Sequence, residues 1–99
     1  MSGRLTVWVI TYDITDDARL RKVYKLMRGY GDHLQYSVFR CVLSDLQLAT
    51  LKAKMLEIIE GATDQVLFIP LGSADAERTW RHWTLGVPLA HPERVVIIL

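Results

Sequence analysis

Leu5-Thr6-Val7-Trp8-Val9-Ile10-Thr11-Tyr12-Asp13-Ile14-Thr15-Asp16-Asp17-Ala18-Arg19 is the stretch whose reading decides the fold. Its first half carries β-branched and aromatic residues on both alternating faces, Val7 and Val9 on one, Trp8, Ile10 and Tyr12 on the other. That pattern predicts a central strand covered on both sides. The strand surfaces at a carboxylate, Asp13. Thr15 or Asp16 can then cap a helix in which Leu20, Val23, Tyr24 and Met27 recur at i, i+3, i+4 and i+7, until Tyr30-Gly31 stops it. An acid at a strand's C-terminal end, two further acids and then a cluster of bases can present a hard-cation ligand beside a phosphate-binding face.

Working outward, Leu34 to Leu43 has strand composition, bent or split around Gln35 to Ser37. Ser44-Asp45-Leu46-Gln47 is a capping box, and Leu48, Leu51, Met55, Ile58 and Ile59 supply the apolar stripe of a second helix ending at Gly61. Asp64 leads into a short strand from Gln65 to Leu71, ended by Pro70. Strand, helix, strand or hairpin, helix, strand is the order of an α+β, ferredoxin-like βαββαβ sandwich with helices on one face of an antiparallel sheet.

Residues 1–71 would form the core of that single domain. Residues 72–93 read as a connection with its own apolar anchors, Trp80, Trp83, Leu85, Val87 and Leu89. Residues 94–99 supply an extra C-terminal strand, whose Val95-Val96-Ile97-Ile98-Leu99 would aggregate if left unpaired. It is expected to dock on its own sheet or on the sheet edge of a partner copy.

A chain of 99 residues has room for one core. Its 51% hydrophobic content against 23% charged is generous for that size, so burial against a second copy is expected. Cys41, the single cysteine, lies in the apolar-rich run Val38-Phe39-Arg40-Cys41-Val42 and reads as a small buried hydrophobe in a reducing compartment. The apolar run after Met1-Ser2-Gly3-Arg4 is too short for a signal peptide, and no segment approaches the ~20 residues that span a bilayer. The expectation is a cytoplasmic protein with no membrane partner.

A formal net charge of +1 argues against a generic, strongly basic nucleic-acid binder. The charge is local instead: Arg19, Arg21, Lys22, Lys25 and Arg28 follow one another without an acid between them. Arg21, Lys25 and Arg28 fall on one helix flank, with Lys22 and Arg19 further round. Each alone is ordinarily a solvated residue, whereas five together favour sequence-independent phosphate contact. Arg40, a charge within an apolar strand, can pair with an acid or reach the same phosphates.

The acids admit two readings. Asp13 is a strand-end acid capping a nearby turn, or a cation ligand. Asp16 and Asp17 suit the cap and first turn of the helix, with an outer role around a cation as the alternative. His33, His82 and His91 share no metal-ligand spacing with one another or with Cys41, which gives no zinc site. Trp80 and Trp83 beside Arg78 and Arg81 form either an anchor for a short helix or a strip that stacks on nucleic acid.

In order and spacing these features resemble the small CRISPR-associated family commonly called Cas-two. The resemblance rests on Tyr12-Asp13-Ile14 with Asp16-Asp17 and Arg19, on Lys22-Val23, Tyr30-Gly31 and Gln35-Tyr36-Ser37-Val38-Phe39-Arg40-Cys41, on the leucine-rich second helix and on Phe68-Ile69-Pro70-Leu71. It covers residues 5–71 closely and the tail in outline. Many relatives have Tyr before the Pro-Leu pair and Cys after it, where this chain has Ile69 and Gly72, a difference that touches packing. The resemblance implies a homodimer in which Asp13 of each copy shares a divalent metal, Mg²⁺ or Mn²⁺, near the two-fold axis. Asp16, Asp17 and Ser37 are candidates for groups around that site. It also implies a last strand crossing to the partner, assembly with the Cas-one integrase, and double-stranded DNA or single-stranded RNA as the nucleic acid. Family members are metal-dependent RNases or DNases active in spacer acquisition. A non-catalytic DNA-binding scaffold of the integration complex and a toxin-like RNase of related fold are the alternative readings.

Overall fold

The computed structural model describes residues 4–74, 81–89 and 96–97. The opening apolar stretch forms β1 (Thr6–Asp13), and α1 follows over Asp17–Arg28. Asp16 is the α1 N-cap, its carboxylate accepting from the Arg19 N–H at 3.0 Å. A hairpin of β2 (Gly31–Gln35) and β3 (Val38–Leu43) comes next, then α2 (Asp45–Ile58) and β4 (Gln65–Ser73). Both halves of the Ser44/Gln47 capping box are made, at 3.1 and 2.8 Å. The four strands order as β2-β3-β1-β4, with every neighbouring pair antiparallel. This is the α+β, ferredoxin-like arrangement expected from the sequence.

Alternation divides the sheet into two unlike faces. Ile10 and Tyr12 of β1 and Phe39, Cys41 and Leu43 of β3 pack with Val23 and Met27 of α1 and Leu51 and Met55 of α2 in one buried cluster. Trp8, Val66 and Phe68 close over it. Burial pushes the Cys41 thiol up to about 12, so it stays a neutral, inert part of this core. The opposite face carries Val9, Thr11 and Asp13 of β1, Arg40 of β3, and Leu67, Ile69 and Leu71 of β4, the last three 48%, 40% and 46% exposed. The helices therefore cover one face of β1. Val7 is buried on the other, but covering that face fully needs something beyond the helices.

Four boundaries differ from the sequence expectation. The second strand begins at Gly31, not Leu34. Gly31 belongs to β2 because β3 approaches so closely that a Cβ there would meet the Cys41 sulfur and, at 2.5 Å, the Arg40 carbonyl oxygen. Gly29, not Tyr30, caps α1, and α2 gives way to extended backbone at Ile59, before Gly61. Pro70 does not end β4, which continues to Ser73. β4 lies at the sheet edge, where a missing N–H is tolerated, and the register shifts beside Pro70, between Val7 and Trp8.

In the C-terminal segment, β5 (Arg81–His82) pairs in parallel with β6 (Val96–Ile97) as a separate two-stranded sheet. Trp83 is exposed. The expectations for Arg78, Trp80, His91 and the rest of the final strand lie outside the described residues.

The close approach at Gly31 gives a direct test. Gly31→Ala is expected to lower the urea unfolding free energy by about 1–3 kcal/mol, the usual cost of overpacking. Gly61→Ala, where nothing lies within 4 Å of the added carbon, is expected to stay within about 0.5 kcal/mol of the parent.

Candidate nucleic-acid interface and cation site

β1 and its neighbours fix where Asp13 emerges. Asp13 pairs with Gln65 of β4, Thr11 pairs with Val38 of β3, and the Tyr12 N–H donates to the Ser37 carbonyl at 3.2 Å. Ser37 is thereby held alongside the strand end from which Asp13 projects. Asp13 is exposed at the margin of the uncovered face, in line with Val9 and Thr11.

Just beyond it, one carboxylate ties the surrounding segments together. Asp64, at the entrance to β4, accepts from the Thr15 N–H at 3.0 Å, the Thr15 hydroxyl at 2.9 Å, the Glu60 N–H at 2.9 Å and Arg19 Nε at 2.8 Å. The Asp64 side chain is fully covered and that of Arg19 is 29% exposed. The Arg19 guanidinium, followed by the Glu60 and Thr15 N–H groups, holds the Asp64 carboxyl well below the usual carboxylate range, against the opposing effect of burial. The same hydrogen bond raises the Arg19 pKa. In the sequence Asp64 reads only as a strand-entry residue. Its partners lie up to 49 residues away, so no local pattern marks it.

On the helix-covered side, beside α1, lies an open cleft of about 680 Å³. Tyr12, Tyr24, His33 and Tyr36 give it aromatic walls, and Arg21, Lys25 and Arg28 supply positive charge. Arg28 Nη1 donates to the Tyr24 hydroxyl at 2.9 Å and its guanidinium carbon lies 5.6 Å from the Tyr24 ring centroid. Burial, with smaller effects of Tyr24 and Tyr36, pushes the Tyr12 phenol up to about 12, keeping it neutral. The aromatic wall was not anticipated from sequence. Its parts come from β1, α1, β2 and the β2–β3 turn.

The candidate residues therefore separate into distinct places. Arg21, Lys25 and Arg28 share the cleft, as their helical spacing predicts, whereas Lys22 is exposed outside its lining. Arg19 is turned toward Asp64. Arg40 lies on the other sheet face, its Nη1 3.6 Å from an Asp32 carboxylate oxygen, the acid pairing that was one of its two readings. Asp16 acts as a helix cap and Asp17 as a first-turn acid.

A cation requirement can be tested against this donor set. Among the described residues no three His, Cys, Asp or Glu side chains gather as a metal site. Asp64 is committed to Arg19, and Asp16 to the α1 N-terminus. Among the described residues, Asp13 thus belongs to no such group. That set fits Mg²⁺ only when a second Asp13 and phosphate oxygens complete it, since the ion commonly takes one or two carboxylates and keeps waters. Among the described residues, no helix is long and apolar enough to cross a membrane.

Residues 6–79 match the family model described as CRISPR associated protein Cas2. The chain belongs to this family. A Cas2-family relative from Thermodesulfovibrio yellowstonii, named CRISPR-associated endoribonuclease Cas2 2, is 45% identical over 64 residues, covering 65% of this chain and 70% of that protein. Streptococcus pyogenes Cas2, in a crystal structure at pH 6.5, matches with a TM-score of 0.63 and 34% identity over 67% of this chain and 86% of its own. A Thermus thermophilus protein described as hypothetical protein TT1823 matches with a TM-score of 0.70 and 28% identity over 86% and 94% of the two chains. The Cas2 family model thus spans the four-stranded core, including Asp13, the α1 cations and Asp64.

Asp64 also gives this Cas2-family chain a defined acid response. Its folded-state pKa lies below the unfolded Asp value of ~3.9, so the folded protein binds fewer protons there. The resulting stabilisation is complete above that pH and is lost as pH falls toward the lowered folded value. Asp64→Asn is expected to reduce the melting temperature at neutral pH more than Asp45→Asn does. Its gap to the parent should narrow as the pH is taken below about 4. A gap unchanged with acidification would contradict the ion-pair account.

Proposed function

We propose that the protein is a CRISPR-associated endonuclease subunit that acts as a homodimer, with Asp13 of each copy contributing to a shared Mg²⁺ or Mn²⁺ site. The observation that carries this reading is the placement of Asp13: an exposed carboxylate at the margin of an uncovered apolar sheet face, which joins no cluster of three or more His, Cys, Asp or Glu among the described residues. Leu67, Ile69 and Leu71 give that face the apolar character expected where a second copy packs. A two-fold axis near the β1 end of the face would bring two Asp13 carboxylates together.

In that assembly the bound cation would lower the pKa of a water and offset charge on the phosphate under attack. The chain's own residues do the rest. Ser37 steadies the strand end through its bond to Tyr12, and its hydroxyl is available to a phosphate. Arg21, Lys25 and Arg28 bind backbone phosphates without reading sequence, as suits a protein that accepts any invading strand. The endoribonuclease names of the relatives support nuclease action, and the family resemblance supports partnership with the Cas-one integrase in spacer acquisition. That no metal-binding cluster forms among the described residues also favours a second reading, in which the dimer binds DNA as a scaffold and Asp13 is structural.

Labelled single-stranded RNA and duplex DNA, incubated with Mg²⁺ or Mn²⁺, decide between these readings. Metal-dependent cleavage that chelation stops and Asp13→Ala abolishes, with duplex binding retained, is expected. Binding without cleavage by either protein leaves the scaffold. In a salt titration of duplex binding, each of Arg21→Gln, Lys25→Gln and Arg28→Gln should reduce the slope of log K against log salt by roughly 1.

A further inference from the structure

The cleft beside α1 combines two surfaces that a duplex-phosphate contact would not require together. Arg21 and Lys25 face it with no hydrogen bond or ion pair to any described residue, and no carboxylate is among its lining residues. Tyr36, at the β2–β3 turn, stands 80% exposed in its wall. Its carbonyl is 3.1 Å from His33 Nε2, which ties the turn back to β2. Tyr24 meets His33 edge-on at 5.2 Å, and His33 lies 4.9 Å from Phe39 in the core. The aromatic wall is therefore braced from behind by the buried Phe39 ring while the Tyr36 ring is held out in solvent.

The occupant's chemistry follows from that pairing. A duplex offers phosphates but keeps its bases stacked within the helix. An acidic peptide would satisfy the cations and leave the rings without a planar partner. An unpaired nucleotide presents both a π-face and a phosphate, and stacking of splayed-out bases on aromatic side chains is the common means of holding single strands. The volume of about 680 Å³ falls within the range of small-molecule sites, roughly 300–1,000 Å³. Tyr12, in the cleft wall, adds a hydroxyl that can bond a base edge or a sugar.

We propose that this cleft receives one unpaired base of a nucleic-acid strand, stacked on Tyr36, with the adjoining phosphates on Arg21, Lys25 and Arg28. The proposal rests on the nucleic-acid reading of the α1 cations and is separate from the cation site. Tyr12 and Asp13 are consecutive in β1, and Tyr12 faces the cleft while Asp13 lies on the opposite sheet face.

The test is fluorescence anisotropy on the full chain in EDTA, with three labelled probes: a short single strand, an abasic strand of the same backbone length, and a duplex. The base-bearing strand should bind roughly tenfold more tightly than the abasic one, within the range of one base stacked on a ring. Tyr36→Ala should remove that preference and leave duplex affinity unchanged, and Tyr36→Phe should restore it. An unchanged melting temperature of Tyr36→Ala confirms folding at this exposed position. Equal binding of base-bearing and abasic strands overturns the cleft proposal alone. So does a preference that survives Tyr36→Ala, or a glutamate-rich peptide that binds more tightly than the single strand. Failure of all three nucleic-acid probes overturns it together with the reading of the cations.

Discussion

The Asp64 carboxylate is the junction on which the geometry around Asp13 depends. It receives the β1–α1 turn through Thr15, the first turn of α1 through Arg19 and the α2–β4 turn through the Glu60 N–H. Two regions remote in sequence, residues 15–19 and residues 60–64, are thus tied together through one covered side chain. A buried carboxylate is tolerated because donors surround it, and removing any of them would leave a charged group partly unsatisfied. Thr15 lies two residues past Asp13, and Gln65, Asp13's register partner, follows Asp64 directly. The junction therefore holds the chain on both sides of the strand end where Asp13 emerges, and it ties the first turn of α1 to the entrance of β4.

The two sheet faces then divide the work. One is filled by Phe39, Ile10, Met27, Leu51 and Met55 and needs nothing further. The other is apolar along β4 yet exposed in the single chain, and Asp13 lies at its margin. A face of this kind is stable when it meets another, and the two-fold arrangement proposed for this Cas2-family chain covers the apolar strip while bringing a second Asp13 carboxylate to the site. The cleft beside α1 stays on the outside of such a pair, because it opens on the helix-covered side.

Local signals were legible wherever local physics decides structure. The Ser44/Gln47 capping box, the Asp16 cap, the Leu20-Val23-Tyr24-Met27 stripe and the alternation of β1 all appear where the residue pattern placed them. Gly31 was misread as a stop for α1 because a glycine forced by close strand approach looks, in sequence, like a glycine at a helix end. Pro70 was misread as a terminator because nothing local marks β4 as an edge strand. Helical spacing brought Arg21, Lys25 and Arg28 together, but the departure of Arg19 to Asp64 and of Arg40 to Asp32 depends on contacts across the fold. The aromatic cleft was invisible for the same reason.

The central claim, that the site is complete only when two copies each contribute Asp13, is tested most directly by subunit mixing. Wild-type and Asp13→Ala protein would be denatured together, refolded at varied ratios, and assayed for metal-dependent cleavage at constant total protein. If the site needs both carboxylates, activity follows the square of the wild-type fraction, so an equal mixture retains about a quarter of it. A linear decline, with about half retained in the equal mixture, would mean that each chain works alone and would contradict the account.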